Sequence, residues 1–285
     1  MPASHVRSTL NPRRWIIRTL AGIALSAVAC WLFACALLFA TQRMLLYPAV
    51  PSRSFDAATT RVLAAGDGTP LHASVRAKPG APALLYLGGN REDVAVTLPR
   101  LAAELPGHAL YLLHYRGYGA APGEPNEAAL QADALILFDA VAHQHPQVLL
   151  VGRSLGSGIA VRIAAQRPVA QLLLITPYDS IAAVATERFP WAPDWLVLDR
   201  YEAVRDAPAV RIPTQVWIAG RDAVIPRART DALVRAFADG IVKVRLFADA
   251  GHNDLWSVPA FRAALRALGQ AAPWSSGVHA GAGVR

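Results

Sequence analysis

Downstream of residue 60 the chain alternates short apolar runs with longer stretches of helical spacing. Arg61–Ala65 and Leu71–Val75 flank Gly66-Asp67-Gly68-Thr69, a pattern that predicts a β-hairpin. Ala83–Leu87 is a short apolar run, predicted as a buried strand, and Ala109–His114, Gln147–Val151, Gln171–Ile175, Thr214–Ala219 and Lys243–Phe247 are predicted as further strands. Between them lie predicted helices over Asp93–Glu104, Glu127–His143, Gly156–Gln166 and Arg227–Ala238, and a final helix over Leu255–Leu268 follows the last strand. Glu127–His143 has the clearest helical face, with Leu130, Ala134, Leu137, Phe138 and Val141 at one-face spacing. Strands alternating with helices predict a mostly parallel, twisted sheet covered by helices on both faces. Residues 177–213 break the rhythm with Pro190, Pro193, Pro208 and Pro213 among Tyr178, Phe189, Trp191, Trp195 and Tyr201. They read as a small helical cap inserted between two strands.

The N-terminal pattern is different. Thr19 to Ala40 holds 22 residues without a charge, and about 20 apolar residues cross a bilayer as a helix. Arg7, Arg13, Arg14 and Arg18 precede it, and Arg43 follows, with Arg53 and Arg61 further on. The positive-inside rule places the N-terminus in the cytoplasm and the rest of the chain outside it, periplasmic in a bacterium. A cleaved signal with Ala34-Cys35-Ala36 at its site, or a lipoprotein signal at Leu32-Phe33-Ala34-Cys35, competes with an uncleaved anchor. The apolar run continues through Leu37-Leu38-Phe39-Ala40, where a processed signal turns polar, and favours the anchor. The organisation expected is a basic N-terminus (1–18), a transmembrane helix (19–40), a linker (41–55), an α/β domain (56–270) with its cap insertion at about 177–213, and a disordered Gly/Ala/Ser-rich tail (271–285).

Composition narrows the function. Of 285 residues, 54% are hydrophobic and 17% charged, which excludes general disorder. The net charge of +8 is concentrated at the start, where the first 43 residues hold five arginines and no acidic residue. With no basic run downstream, a nucleic-acid partner is not expected. Cys30 and Cys35, the two cysteines, lie inside the apolar segment, so the domain that follows has neither a thiol nucleophile nor a disulfide. No P-loop, no strand-linked dinucleotide fingerprint and no metal-spaced His/Cys cluster occurs, and no cofactor or metal is expected.

The chemistry is carried by Gly152-Arg153-Ser154-Leu155-Gly156, which follows one predicted strand and opens a helix. This is G-x-S-x-G in the strand–turn–helix setting of a nucleophile elbow, where small neighbours allow the strained turn that projects Ser154. A serine hydroxyl needs a base. His252, in Ala250-Gly251-His252-Asn253-Asp254, comes directly after the last strand, and the other downstream histidine, His279, lies in the tail. His5, His72, His108, His114, His143 and His145 precede Ser154 and read as structural or exposed. Asp222, after strand Thr214–Ala219, is the expected partner of His252, in the chain order Ser, Asp, His. Asp179 competes for that role and otherwise caps the next helix. The oxyanion donors expected are the backbone amides of Leu155 and of Asn90, in the loop Gly88-Gly89-Asn90. Tyr178, Phe189, Trp191 and Trp195 are candidates for an acyl pocket or for the cap's own core.

The chain resembles the α/β-hydrolase superfamily and, within it, the bud-emergence-protein-like branch of single-pass membrane serine hydrolases. The residues that carry the resemblance are Arg43-Met44-Leu45-Leu46-Tyr47-Pro48, Gly88-Gly89-Asn90, Tyr115-Arg116-Gly117-Tyr118-Gly119 and Pro122-Gly123-Glu124-Pro125. With them stand Gly152-Arg153-Ser154-Leu155-Gly156, Thr176-Pro177-Tyr178-Asp179-Ser180, Gly220-Arg221-Asp222 and Gly251-His252. Together they cover roughly residues 42–268. One departure is Gly88, where the branch often has histidine. The resemblance implies the α/β-hydrolase fold and hydrolysis of ester or thioester bonds in small or lipid-like acyl substrates. A serine peptidase with the same triad, or a silent hydrolase-fold interaction protein, are the other readings.

Overall fold

The computed structural model describes residues 12–48, 50, 55–145 and 147–270. The residues before 12, most of 49–54 and the expected tail 271–285 lie outside the described residues. The chain divides into two units, Met1–Gln42 and Arg43–Arg285. One helix, α1 (Pro12–Leu46), runs through the first unit and into the start of the second. Its stretch Arg13–Leu46 is long and apolar enough to cross a membrane. The helix begins earlier than the expected span and continues beyond it, so residues 41–46 are helical where a linker was expected. The reason is local. No Pro lies between Pro12 and Pro48, Thr41 Oγ1 bonds back to the Leu37 carbonyl at 2.8 Å, and Pro48 stands where the helix has stopped.

The second unit is built on one eight-stranded sheet in the order β1-β2-β4-β3-β5-β6-β7-β8. The strands are β1 (Thr60–Ala64), β2 (Pro70–Arg76), β3 (Ala83–Leu87), β4 (Ala109–Leu113), β5 (Val148–Arg153), β6 (Gln171–Ile175), β7 (Thr214–Ala219) and β8 (Val242–Phe247). β1 and β2 form the expected antiparallel hairpin. β2 pairs antiparallel with β4, and β4 through β8 are parallel. Strand parity separates two cores. Ala83, Leu85 and Leu87 of β3, with Leu172 and Leu174 of β6, face one cluster. Leu84 and Tyr86, with Leu173 and Ile175, face the other. The first cluster is closed by α3 (Glu127–Gln144), α4 (Leu155–Gln166) and Leu233 of α7 (Arg227–Ala236). The second is closed by α2 (Val94–Glu104) and α8 (Pro259–Gln270). Burial on both faces explains why β3 is apolar at every position and β6 at every position after Gln171.

Two boundaries differ from the pattern. Residues 255–257 form a 3-10 turn, and α8 starts only at Pro259, which suits the first helical position because its missing N–H would have no partner there. In the 177–213 region, α5 (Ile181–Arg188) and a 3-10 turn Asp194–Leu196 precede the short α6 (Ala203–Asp206). Ala203, Ala207 and Val210 are buried in the first core, so the second half of this region belongs to the body of the domain.

Candidate active site

The parallel strands end together, and the loops leaving β3, β5 and β7 and the loop after β8 converge there. At the end of β5, Ser154 sits at φ 47°, ψ −115°, a left-handed conformation costly for any side-chain-bearing residue. Its amide donates to the Ile175 carbonyl at 2.9 Å. Ser157 fastens the turn from within, its Oγ 2.6 Å from the Ser154 carbonyl. The flanking glycines are required by close approach. A Cβ on Gly152 would lie 2.6 Å from Ala160 Cβ, and one on Gly156 would overlap the Leu87 carbonyl.

His252 Nε2 lies 2.9 Å from Ser154 Oγ, and His252 Nδ1 lies 2.7 Å from Asp222 Oδ2. Asp222 is aimed by its own loop, because Oδ1 accepts the amides of Val224 and Ile225, both at 2.8 Å. Burial alone would raise the Asp222 carboxyl. The His252 bond and those two amides outweigh it and hold the group below the usual aspartate value. Ser154 and His252 are both buried.

Asp179 stands elsewhere. Its Oδ2 accepts from Arg229 Nη1 at 3.1 Å, and its Oδ1 takes the Ser180 amide at 2.7 Å. The N-cap of α5 is Ser180, whose Oγ accepts the Ala183 amide at 3.0 Å, and not Asp179 as the sequence suggested. Burial raises the Asp179 carboxyl, against the pull of the Ser180 amide and Arg229.

The loop after β3 is held from several sides. The Gly89 amide donates to Glu92 Oε2 at 2.7 Å. Tyr118 Oη donates to Asn90 Oδ1 at 2.8 Å, and Tyr115 Oη to the Gly88 carbonyl at 2.9 Å. Those two contacts hold the loop at Gly88 and at Asn90. Leu155, the other candidate donor, opens α4, and its carbonyl accepts from Tyr178 Oη at 3.0 Å.

Sequence reasoning missed two residues here. Glu92 Oε1 accepts from Tyr86 Oη at 2.8 Å and from Thr97 Oγ1 at 2.7 Å, while Arg153 Nη1 donates to Oε2 at 2.9 Å. Arg153 Nη2 reaches across to the His252 carbonyl at 3.1 Å and to Asn253 Oδ1 at 2.9 Å. The pair therefore ties the Asn90 loop to the His252 loop. The available signal was Arg153 inside the G-x-S-x-G turn, a cation set among apolar strand ends that requires a partner.

The four pocket candidates are spread out. Tyr178 is 0% exposed, and its hydroxyl is spent on Leu155, so it supports α4 and lines no open pocket. Phe189 and Trp191 stack edge to face at 6.2 Å. Trp195, 71% exposed, turns its ring outward. Among the described residues no group of three or more His, Cys, Asp or Glu side chains is arranged to hold a metal.

No protein-family model matches the chain. An uncharacterised protein of Mycobacterium tuberculosis is 36% identical over 180 residues, 61% of this chain and 63% of its own length. Protein bem46 of Schizosaccharomyces pombe is 23% identical over 191 residues, 61% of this chain and 62% of its own. The lysophosphatidylserine lipase ABHD12 of Danio rerio is 28% identical over 170 residues, 51% of this chain and 44% of its own. The chain thus spans less than two thirds of the length of these relatives. Among solved structures, a Pyrococcus furiosus esterase superposes with a TM-score of 0.62 at 12% identity, over 78% of this chain and 96% of that one. A hydrolase of Pseudomonas aeruginosa does so with a TM-score of 0.59 at 19% identity, over 76% of this chain and 100% of that one. At these identities the two structures speak for the fold alone. The chain has the α/β-hydrolase fold, and its sequence is similar to relatives that include protein bem46 and a lysophosphatidylserine lipase.

Proposed function

We propose that the protein is a membrane-anchored serine hydrolase that cleaves carboxylic ester or thioester bonds of small or lipid-like acyl substrates. One observation carries the reading: an unbroken hydrogen-bonded line from Asp222 through His252 to Ser154. Ser154 Oγ attacks the acyl carbon as its proton passes to His252 Nε2. Asp222 holds the ring in register and stabilises the imidazolium. The oxyanion forms against the Leu155 and Asn90 amides, with the positive end of α4 beneath it. His252 returns the proton to the departing alcohol or thiol as the carbonyl re-forms, which leaves an acyl-Ser154. Water, deprotonated by the same His252, then releases the acid and regenerates the serine. α1 serves as the anchor, with its N-terminal end in the cytoplasm. The names of the relatives, a lysophosphatidylserine lipase and esterases, favour acyl esters over amides.

The test is labelling of the full chain by a fluorophosphonate. Wild type is expected to label and Ser154→Ala to give no signal. Asp222→Asn is expected to slow labelling by on the order of a thousandfold, because the imidazole loses its orienting acceptor. Asp179→Asn should label at close to the wild-type rate. Labelling that persists in Ser154→Ala rejects the nucleophile assignment, and loss with Asp179→Asn but not Asp222→Asn rejects the acid.

A further inference from the structure

The hairpin at the β1 edge of the sheet stands over an open space. β1 pairs with β2 through Arg61↔Ala73 and Leu63↔Leu71, and residues opposite each other on paired strands share a face. Leu71 and Ala73 belong to the first core, with Val75 and Tyr111, so Arg61 and Leu63 lie on the face that α3 covers. On α3, Leu137, Ala140, Val141 and Gln144 recur at the spacing of one helical face. Between the two surfaces lies a cavity of about 300 Å³. Small side chains leave it unfilled, since Ala73 and Ala77 stand on the sheet side and Ala140 on the helix.

Its polar groups are few. Apart from Arg61, Gln144 and the Tyr111 hydroxyl, the side chains on its wall are apolar, and no acidic residue lines it. Tyr111 Oη is engaged with His145 Nε2 at 2.9 Å, so its ring serves as wall. Arg61 and Gln144 are exposed and mark the open side. Gln144 gives one of its two amide hydrogens to the Ala140 carbonyl, at 3.4 Å. Arg61 bonds to the Thr60 carbonyl at 3.2 Å and has no ion pair among the described residues. Its charge is felt inside: burial raises the Tyr111 hydroxyl, and Arg61 opposes that rise.

An apolar recess with one unpaired guanidinium at its mouth is complementary to an aliphatic chain that ends in a single negative charge. The volume limits the chain. At roughly 30 Å³ for a group the size of a water or a methylene, the cavity holds about ten. We propose that it is a binding site for a free medium-chain fatty acid. The chain lies between the hairpin and α3, and the carboxylate rests on Arg61 with Gln144 as a second donor. Strands β2, β4 and β3 separate β1 from β5, and none of Ser154, Leu155, Asn90, Asp222 and His252 lines the cavity. The proposal therefore stands independently of the hydrolase reading, although a free acid is also the class of product that such a hydrolase releases.

The experiment uses the full chain in digitonin, whose rigid steroid body does not mimic an acyl chain. Decanoic acid carrying a diazirine near the end of its chain is photolysed with the protein, and mass spectrometry locates the adducts. They are expected on residues 137–144 of α3 or on the hairpin, 61–77, and excess decanoate should suppress them. Decanol, which has no charge for Arg61, should need a concentration about tenfold higher. Arg61→Gln should raise the probe concentration for half-maximal labelling by about tenfold. Ala140→Phe, which fills the cavity, should remove the adducts. Near-ultraviolet circular dichroism checks the fold of both variants, and Arg61→Gln, at an exposed position, keeps the test decisive if Ala140→Phe does not fold. Adducts confined to other segments overturn the proposal. So do adducts at this site that are unchanged in Arg61→Gln or suppressed equally by decanol, which make the cavity an unselective apolar recess. A wild-type chain that shows the expected adducts but takes no fluorophosphonate sustains this proposal and rejects the hydrolase reading alone.

Discussion

At the scale of single residues, the site divides into parts that sequence exposes and parts that only folding assembles. Ser154 is legible because its requirements are local: a strand, two small neighbours and a helix start, all within a few positions. His252 and Asp222 are legible by elimination and chain order. Glu92 and Arg153 are not, because their contact joins positions 61 residues apart and Arg153 reaches a further 99 residues to His252. No periodicity reports such a pair. Its geometry makes Arg153 a positioning residue. Arg153→Met would leave Glu92 with its bonds to Gly89, Tyr86 and Thr97 but would free the His252 loop. The expected outcome is a fluorophosphonate labelling rate lower by about tenfold or more, with a smaller change in affinity for a reversible ester analogue. Arg153→Lys, which can keep one of the contacts, should recover part of the rate. An Arg153→Met protein that labels as fast as wild type would remove the pair from the mechanism.

At the scale of elements, β3 to β7 were legible to within one or two residues because double-sided burial writes them as short, mostly apolar blocks. The ends of α1 and α8 were not. Both depend on which residues a helix can continue through, and apolar spacing does not carry that information. Strand pairing also makes environments that no strand shows alone. β2 and β4 bring His72, Ser74 and His114 together, with His114 Nε2 2.8 Å from Ser74 Oγ and the Phe55 ring edge-on to both histidines. His72 Nδ1 is buried without a hydrogen-bond partner among the described residues. Burial pushes His114 down to about 4, with Asp93 opposing and His72 assisting, and burial lowers His72 as well. The unfolded histidine titrates near 6.5. Between the two values the unfolded chain holds the extra proton, so stability is intact above about 6.5 and is lost as pH falls toward about 4. For His114 the loss is roughly 3 kcal/mol. Urea unfolding of the detergent-solubilised protein at a series of pH values should show that decline. In His114→Gln the slope across this window should flatten, and an unchanged slope would assign the decline to other groups.

At the scale of the whole molecule, charge asymmetry and apolar length bear on the orientation proposed for α1 and on the side of the membrane that would carry the Ser154 site. Arg13, Arg14 and Arg18 lie on the first turns of α1, with Arg7 upstream, and no acidic residue precedes Asp56. Arg43, Arg53 and Arg61 follow the span more sparsely, at intervals of eight to ten residues. Orientation is chosen as the segment inserts, before the sheet exists. Asp199, which later pairs with Arg43, is then more than 150 positions away and cannot offset that charge. The flanking arginines therefore act through their number and closeness to the span, and both are greater on the N-terminal side. Alkaline phosphatase, which folds only outside the bacterial cytoplasm, is expected to be active when fused after Gln270. Green fluorescent protein, exported unfolded at the same position, is expected to be dark. Replacing Arg7, Arg13, Arg14 and Arg18 with Gln removes the asymmetry, and a mixed or inverted orientation should follow. A bright fluorescent fusion on the unaltered chain would place the Ser154 site in the cytoplasm and direct the search for its acyl substrate to the inner leaflet.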